Sequence, residues 1–91
     1  MKLILVKKST AKNKKYTAIF DTGDKIHFGD NRYSDFTIHK DKDRRTNYRS
    51  RHASGKTAKP NTADSLSYWL LWGESTSLQE NIRDFKKRFN L

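Results

Sequence analysis

The apolar residues of this chain change period once along its length, and that change sets the fold class. From Tyr16 they alternate, with Tyr16, Ala18 and Phe20 on one side, Thr17 and Ile19 on the other, and Ile26 and Phe28 resuming after a polar break. That is the two-residue period of a strand with one covered face. At the far end Leu78, Ile82, Phe85 and Phe89 recur every three or four residues, the period of an amphipathic helix. Ninety-one residues are too few for two ordinary domains, so strands and helices must share one core.

The strand half reads as a meander. Lys2 to Lys7 is a short apolar run, partly β-branched, which predicts a strand with both faces partly covered. Residues 8–15 are polar and basic without periodicity, a loop or long hairpin turn. Asp21-Thr22-Gly23-Asp24 is a tighter turn in which Gly23 can take positive φ. Strands are expected at about 2–7, 15–21 and 25–29, in antiparallel order, with one apolar face left for the second half of the chain to cover.

The second half supplies that cover. Thr37 or Asp41 is a candidate cap for a helix over about 38–53, with Asp41 and Asp43 at its start and Arg49, Arg51 and His52 near its end, the order the helix dipole favours. Its apolar content is little more than Tyr48, so most of it should be wet. Residues 53–61 hold Gly55 and Pro60 and no large apolar side chain, and read as the least structured stretch. Asn61 or Thr62 can cap a helix over about 62–72 carrying Leu66, Trp69 and Leu70. Gly73 ends it, and Ser77 with Glu80 three residues on has the spacing of a capping box for a helix over 78–89. The expected architecture is α+β: a three-stranded antiparallel meander followed by about three helices packed on one face.

Charge narrows the partners. Lys and Arg number 20 against 10 Asp and Glu, a formal +10 on a small body, which repels itself unless an anion offsets it. Nucleic acid is the first polyanion to consider, then an acidic membrane surface, then an acidic protein. Arg44, Arg45, Arg49 and Arg51 with His52 spread over more than half the circumference of the predicted helix, and Tyr48 or Tyr33 nearby could stack on a base or sugar. Lys12, Lys14 and Lys15 in the first loop, and Lys56 and Lys59 in the linker, are the flexible additions. The same residues also suit a solvated helix face and solubilising loops. Trp69 and Trp72 read as core before interface in a chain so poor in aliphatics.

Several chemistries are excluded or disfavoured. There is no cysteine, so thiol nucleophiles, disulfides and thiolate metal clusters are absent. His27, His39 and His52 lie twelve and thirteen residues apart, without the close spacing of a metal site. Asp30, Asp35, Asp41 and Asp43 with His39 or His52 could be drawn as a nuclease-like set, but helix caps and local ion pairs are the better account. Ser54-Gly55-Lys56-Thr57 contains Gly-Lys-Thr without the upstream glycines or the preceding strand of a phosphate loop, and at most offers a phosphate Lys56 and some exposed amides. The apolar runs after Met1 and at Tyr68 to Trp72 are too short for a membrane span or a signal peptide. A non-enzymatic, soluble, unexported protein without cofactor or metal is expected.

Two groups of residues carry a resemblance. Tyr33 to Thr37, His39 to Arg45 and Tyr48 to His52, then Leu66 to Gly73, Ser75 to Leu78, Asn81 to Phe85 and Arg88-Phe89 resemble a family of small basic proteins of uncharacterised function found in large DNA viruses, some phages and protists. The Lys-rich linker at Ser54 to Asn61 departs from it, since relatives often carry a tryptophan there. The resemblance implies no catalytic residues. It implies a viral protein that packages or accompanies genomic DNA, located in the virion or in the host nucleus or cytoplasm. The alternative is a minor structural virion protein that meets acidic capsid or scaffold partners, which calls for an exposed apolar patch near Trp69, Trp72 or Phe89.

Overall fold

The computed structural model describes residues 1–91. Strands β1 (Leu3–Lys8), β2 (Lys14–Phe20) and β3 (Lys25–Asp30) form one antiparallel sheet in sequence order, the expected meander. Val6, Ala18 and Ile26 stand abreast, as do Lys8, Tyr16 and Phe28, so the alternation read from Tyr16 onward does select the core face. The register slips between Leu3 and Leu5. One extra residue in a strand turns the side chains beyond it to the other face, and so Leu3 and Val6 face inward while Ile4 and Leu5 are exposed. Burial of β1 is therefore one-sided, where the sequence pointed to partial cover on both sides.

What covers the sheet is a continuous helical segment rather than a row of separate helices. Helix α4 (Ala63–Leu66) is capped by the Thr62 hydroxyl, which accepts from the Ser65 N–H, and it runs directly into a π-helical turn over Ser67–Leu71. In that turn the Trp72 N–H donates to the Ser67 carbonyl five residues back. Tyr68, Trp69, Leu70 and Leu71 are all buried, as required of a helix apolar on every side. It threads the centre of the core, with β3 on one side and helix α5 (Leu78–Phe89) on another. Fully burying a Leu or Phe contributes about 1.5–3 kcal/mol, and Phe20, Phe28, Leu66, Leu70, Leu71 and Phe85 are buried together here.

Close approach explains two glycines. A Cβ on Gly29, whose φ is 76°, would stand 2.7 Å from Leu71 Cδ1, and one on Gly73 would stand 2.2 Å from the Trp69 carbonyl oxygen. Helix α5 starts where its capping residues place it: Ser77 Oγ accepts from the Glu80 N–H. The return arm of the box runs through a third residue, because the Glu80 carboxylate takes the Ser75 hydroxyl and Ser75 Oγ accepts from the Ser77 N–H. The buried Asn81 amide then donates to the carbonyls of Leu70 and Ser75 and accepts from the Ser75 N–H, satisfying backbone groups at the end of the π turn.

The middle of the chain differs most from expectation. The single helix expected over 38–53 is broken into two, α1 (Phe36–His39) and α2 (Lys42–Arg51), and a further helical turn, α3 (Ser54–Thr57), follows them. Lys40 is left-handed, with φ 61°, which ends α1. Asp35 caps α1 and Asp41 caps α2, whereas Thr37 caps neither and donates its hydroxyl to Asp35. The linker, expected to be irregular, contains the helical turn α3, because Gly55 fits where a side chain would strike Tyr68 Cβ and the Asp64 carbonyl.

Candidate nucleic-acid interface

Helix α2, the β3–α1 loop and the end of the π turn enclose a cleft of about 580 Å³. Each wall has a local cause. On one side Asp30 grips Arg32 through both carboxylate oxygens, at 2.8 and 3.0 Å, and accepts the Arg32 N–H. The guanidinium holds the Asp30 carboxyl down to about 2. This pins the loop that carries Tyr33 and Ser34 to the cleft. On the other side the Asp41 carboxylate accepts from the Asp43 and Arg44 N–H groups, which starts α2 in the register that sends Arg44, Asn47, Tyr48 and Arg51 into the lining. Those positions are three or four apart, one stripe of a helix.

Tyr48 seats that stripe. Its ring stacks on Trp72 at 4.2 Å with planes 5° apart, and on His52 at 4.1 Å on its other side. Burial pushes the phenol up to about 12. Tyr48 is thus committed to the protein, and a base meets it only where the cleft exposes its edge.

The predicted arginine patch divides along the helix. Arg44 and Arg51 are exposed and form no ion pair, and both line the cleft beside exposed His52. Arg45 and Arg49 point to the other flank, where both meet the Glu74 carboxylate, at 3.6 and 2.8 Å. Arg45 lies over Phe36 and Arg49 over Tyr68 and Trp69, at 4.6 to 5.6 Å from the ring centroids. Desolvation works against the Arg49 charge, but bonds to Glu74 and Tyr68 outweigh it and raise its pKa further. The Arg49 bond in turn lowers that of Glu74. These two arginines fasten α2 to the core, which corrects their assignment to an open patch.

The lysines divide as well. Lys15 Nζ sits 2.5 Å from Asp35 Oδ2, and both side chains are nearly buried, so Lys15 is a core ion pair and not a flexible phosphate contact. Lys12 and Lys14 are exposed on the β1–β2 hairpin. That hairpin abuts the cleft: Lys14 pairs across to Asp30, and the Asn31 N–H donates to the Asn13 carbonyl. Lys56 and Lys59 are exposed but outside the lining, on a segment whose Asn61 bonds Asp24 at the opposite end of the sheet. The amides of Gly55 and Lys56 are spent on His52 and Ala53 carbonyls, so those two are not free to bind a phosphate. Four of the 20 Lys and Arg, namely Lys15, Arg32, Arg45 and Arg49, are ion-paired, which leaves sixteen without a carboxylate partner.

Other groups gained a role only in three dimensions. His39 Nδ1 accepts from the Asp41 N–H, which leaves the ring proton on a buried, unpartnered Nε2, and burial with the nearby Arg44 charge pushes its pKa down. His27 bonds Thr17 and Ser9 on the far side of the sheet. No three His, Asp or Glu side chains gather in a metal-binding group. No helix is long and apolar enough to cross a membrane. Asn47, whose amide is exposed at the cleft, has no sequence signal, since an asparagine within a polar helix reads as surface.

Neither the curated proteins nor the solved structures contain a match to this chain. A family described only as of unknown function, DUF5754, matches residues 4–52, the stretch that runs from β1 through α2 and holds the Lys15–Asp35 pair, Arg44, Tyr48 and Arg51. With more than half of its 91 residues matched, the chain belongs to this family.

Proposed function

We propose that the chain binds nucleic acid through the phosphate backbone, without catalysis and with little sequence specificity, with DNA as the first candidate. One observation carries the proposal: Arg44 and Arg51, seven residues apart on one stripe of α2, are exposed and free of carboxylates at the mouth of a cleft. Seven residues span about 10 Å along a helix, enough for the two guanidiniums to reach different phosphates of one strand. Lys12 and Lys14 on the abutting hairpin extend the same positive rim, and arginine's planar fork suits phosphate. The resemblance to small basic proteins of large DNA viruses supplies the biological form of the proposal: a genome-associated protein, in the virion or the host nucleus or cytoplasm.

The alternative, a structural virion protein meeting acidic capsid or scaffold partners, calls for exposed aromatics at Trp69, Trp72 or Phe89. Trp69 and Trp72 are buried and Phe89 is packed against Trp69 and Phe85, so nothing at those positions favours it.

The test is fluorescence anisotropy with labelled DNA and with heparin, titrated at several salt concentrations. Four phosphate contacts give log affinity falling against log salt with a slope of about −3 to −4, and Kd near micromolar at moderate salt. Absence of binding to any DNA at low salt would rule the function out.

A further inference from the structure

The cleft holds more than phosphate ligands. Tyr33 lines it, yet is 71% exposed, and it pairs with no other ring. It is the most exposed large apolar side chain in the protein, set on a loop whose Arg32 is bonded to Asp30. Asn47 faces it from α2 with an amide that no side chain or carbonyl engages, and Arg44 and Arg51 stand on the same wall. Aromatic, amide and two free guanidiniums around one concavity match the parts of a nucleotide: a π face for the base, a donor and acceptor for its edge, and cations for its phosphates. The volume of 580 Å³ lies within the range of about 300–1,000 Å³ typical of small-ligand sites, and it is far too small to admit a duplex.

We infer that the cleft takes an unpaired nucleotide, its base stacked on Tyr33 with its edge at Asn47, and its phosphates held by Arg44 and Arg51. The inference rests on the phosphate-binding function proposed above and specifies its ligand, a single strand. A paired base keeps both its faces stacked and its edge bonded inside the duplex, so only a splayed base can fill the site. Sequence preference is weak, because every base has a π face. The phosphates flanking the base lead outward along the rim toward the hairpin that carries exposed Lys12 and Lys14.

The experiment compares four ligands by anisotropy at one salt concentration: a single-stranded 20-mer, the same strand in a duplex, the same length of abasic strand, and heparin. The proteins are the wild type, Tyr33→Ala, Tyr33→Phe and Arg44→Ala with Arg51→Ala, each checked for an unchanged circular dichroism spectrum. The single strand binds wild type at least tenfold more tightly than the duplex or the abasic strand. Tyr33→Ala weakens only the single strand, by about fivefold to a hundredfold, the range that loss of one stacked base produces, and Tyr33→Phe restores it. The double arginine variant weakens all four. Equal affinity for intact and abasic strands, or a single-strand affinity indifferent to Tyr33→Ala, would overturn the nucleotide site while leaving phosphate binding intact. Failure of wild type to bind any of the four would overturn both.

Discussion

The two flanks of α2 carry the same residue type to opposite ends. Arg45 and Arg49 lie over aromatic rings and share Glu74, whereas Arg44 and Arg51 stand free at the cleft. The hairpin repeats the division, with Lys15 buried against Asp35 and its neighbours Lys12 and Lys14 in solvent. A strongly basic chain with a small apolar fraction thus uses part of its charge as structure. Guanidinium groups stacked on Phe36, Tyr68 and Trp69 cover apolar surface that aliphatic side chains would cover elsewhere. The division means that net charge is a poor guide to the binding surface, and that stability and binding should separate cleanly by residue.

The largest effect is expected at the buried pair. Asp35→Ala leaves the Lys15 ammonium without its partner in the core and removes the α1 cap, at a cost of about 3–5 kcal/mol in urea denaturation. A loss below about 1 kcal/mol would mean that Lys15 escapes to solvent. Next, Arg49→Ala removes the Glu74 bond and the packing over two rings and lowers stability by about 1–2 kcal/mol. Arg49→Lys recovers little of this, because an ammonium cannot bridge Glu74 and lie flat on Tyr68.

The junction between α1 and α2 predicts an acid sensitivity. His39 has its pKa depressed in the fold, so the unfolded chain takes up a proton first as pH falls, near pH 6.5. Stability is then full above about pH 6.5 and declines as pH drops through the folded value. Asp30 and Glu74, also depressed, add their losses only in the lower carboxylate range. Urea midpoints between about pH 7.5 and 5 should therefore fall for the wild type and flatten for His39→Asn, which can still accept from the Asp41 N–H. At the smallest end for stability, Arg44→Ala and Arg51→Ala stay within about 0.5 kcal/mol of wild type. Each nonetheless lowers the salt slope of DNA binding by about 0.7 on a single strand and about 0.9 on a duplex. A variant of either that unfolds the protein would erase the distinction between the flanks.

Local rules made several elements legible in the sequence. The alternation at Tyr16, Ala18, Phe20, Ile26 and Phe28 placed the meander, and Ser77 with the Leu78, Ile82, Phe85, Phe89 spacing placed α5 to the residue. Each depends on neighbours within four residues. The break at Lys40 was hidden because a lysine rarely takes positive φ and nothing in its identity marks it, while the caps that bracket it, Asp35 before and Asp41 after, act through the fold. The π turn was hidden because an apolar run such as Tyr68 to Trp72 shows no period at all when it is buried on every side.

For the site, composition and spacing were enough to name the candidates: a basic, cysteine-free chain with arginines on one helix and lysines in its loops. Which of them remain available is settled by the folded arrangement. An arginine or lysine is free to bind a phosphate only where no carboxylate such as Glu74 or Asp35, 20 to 29 residues distant in the chain, is brought within reach. Charge is a property of the residue, but whether that charge is free is a property of what the fold places beside it.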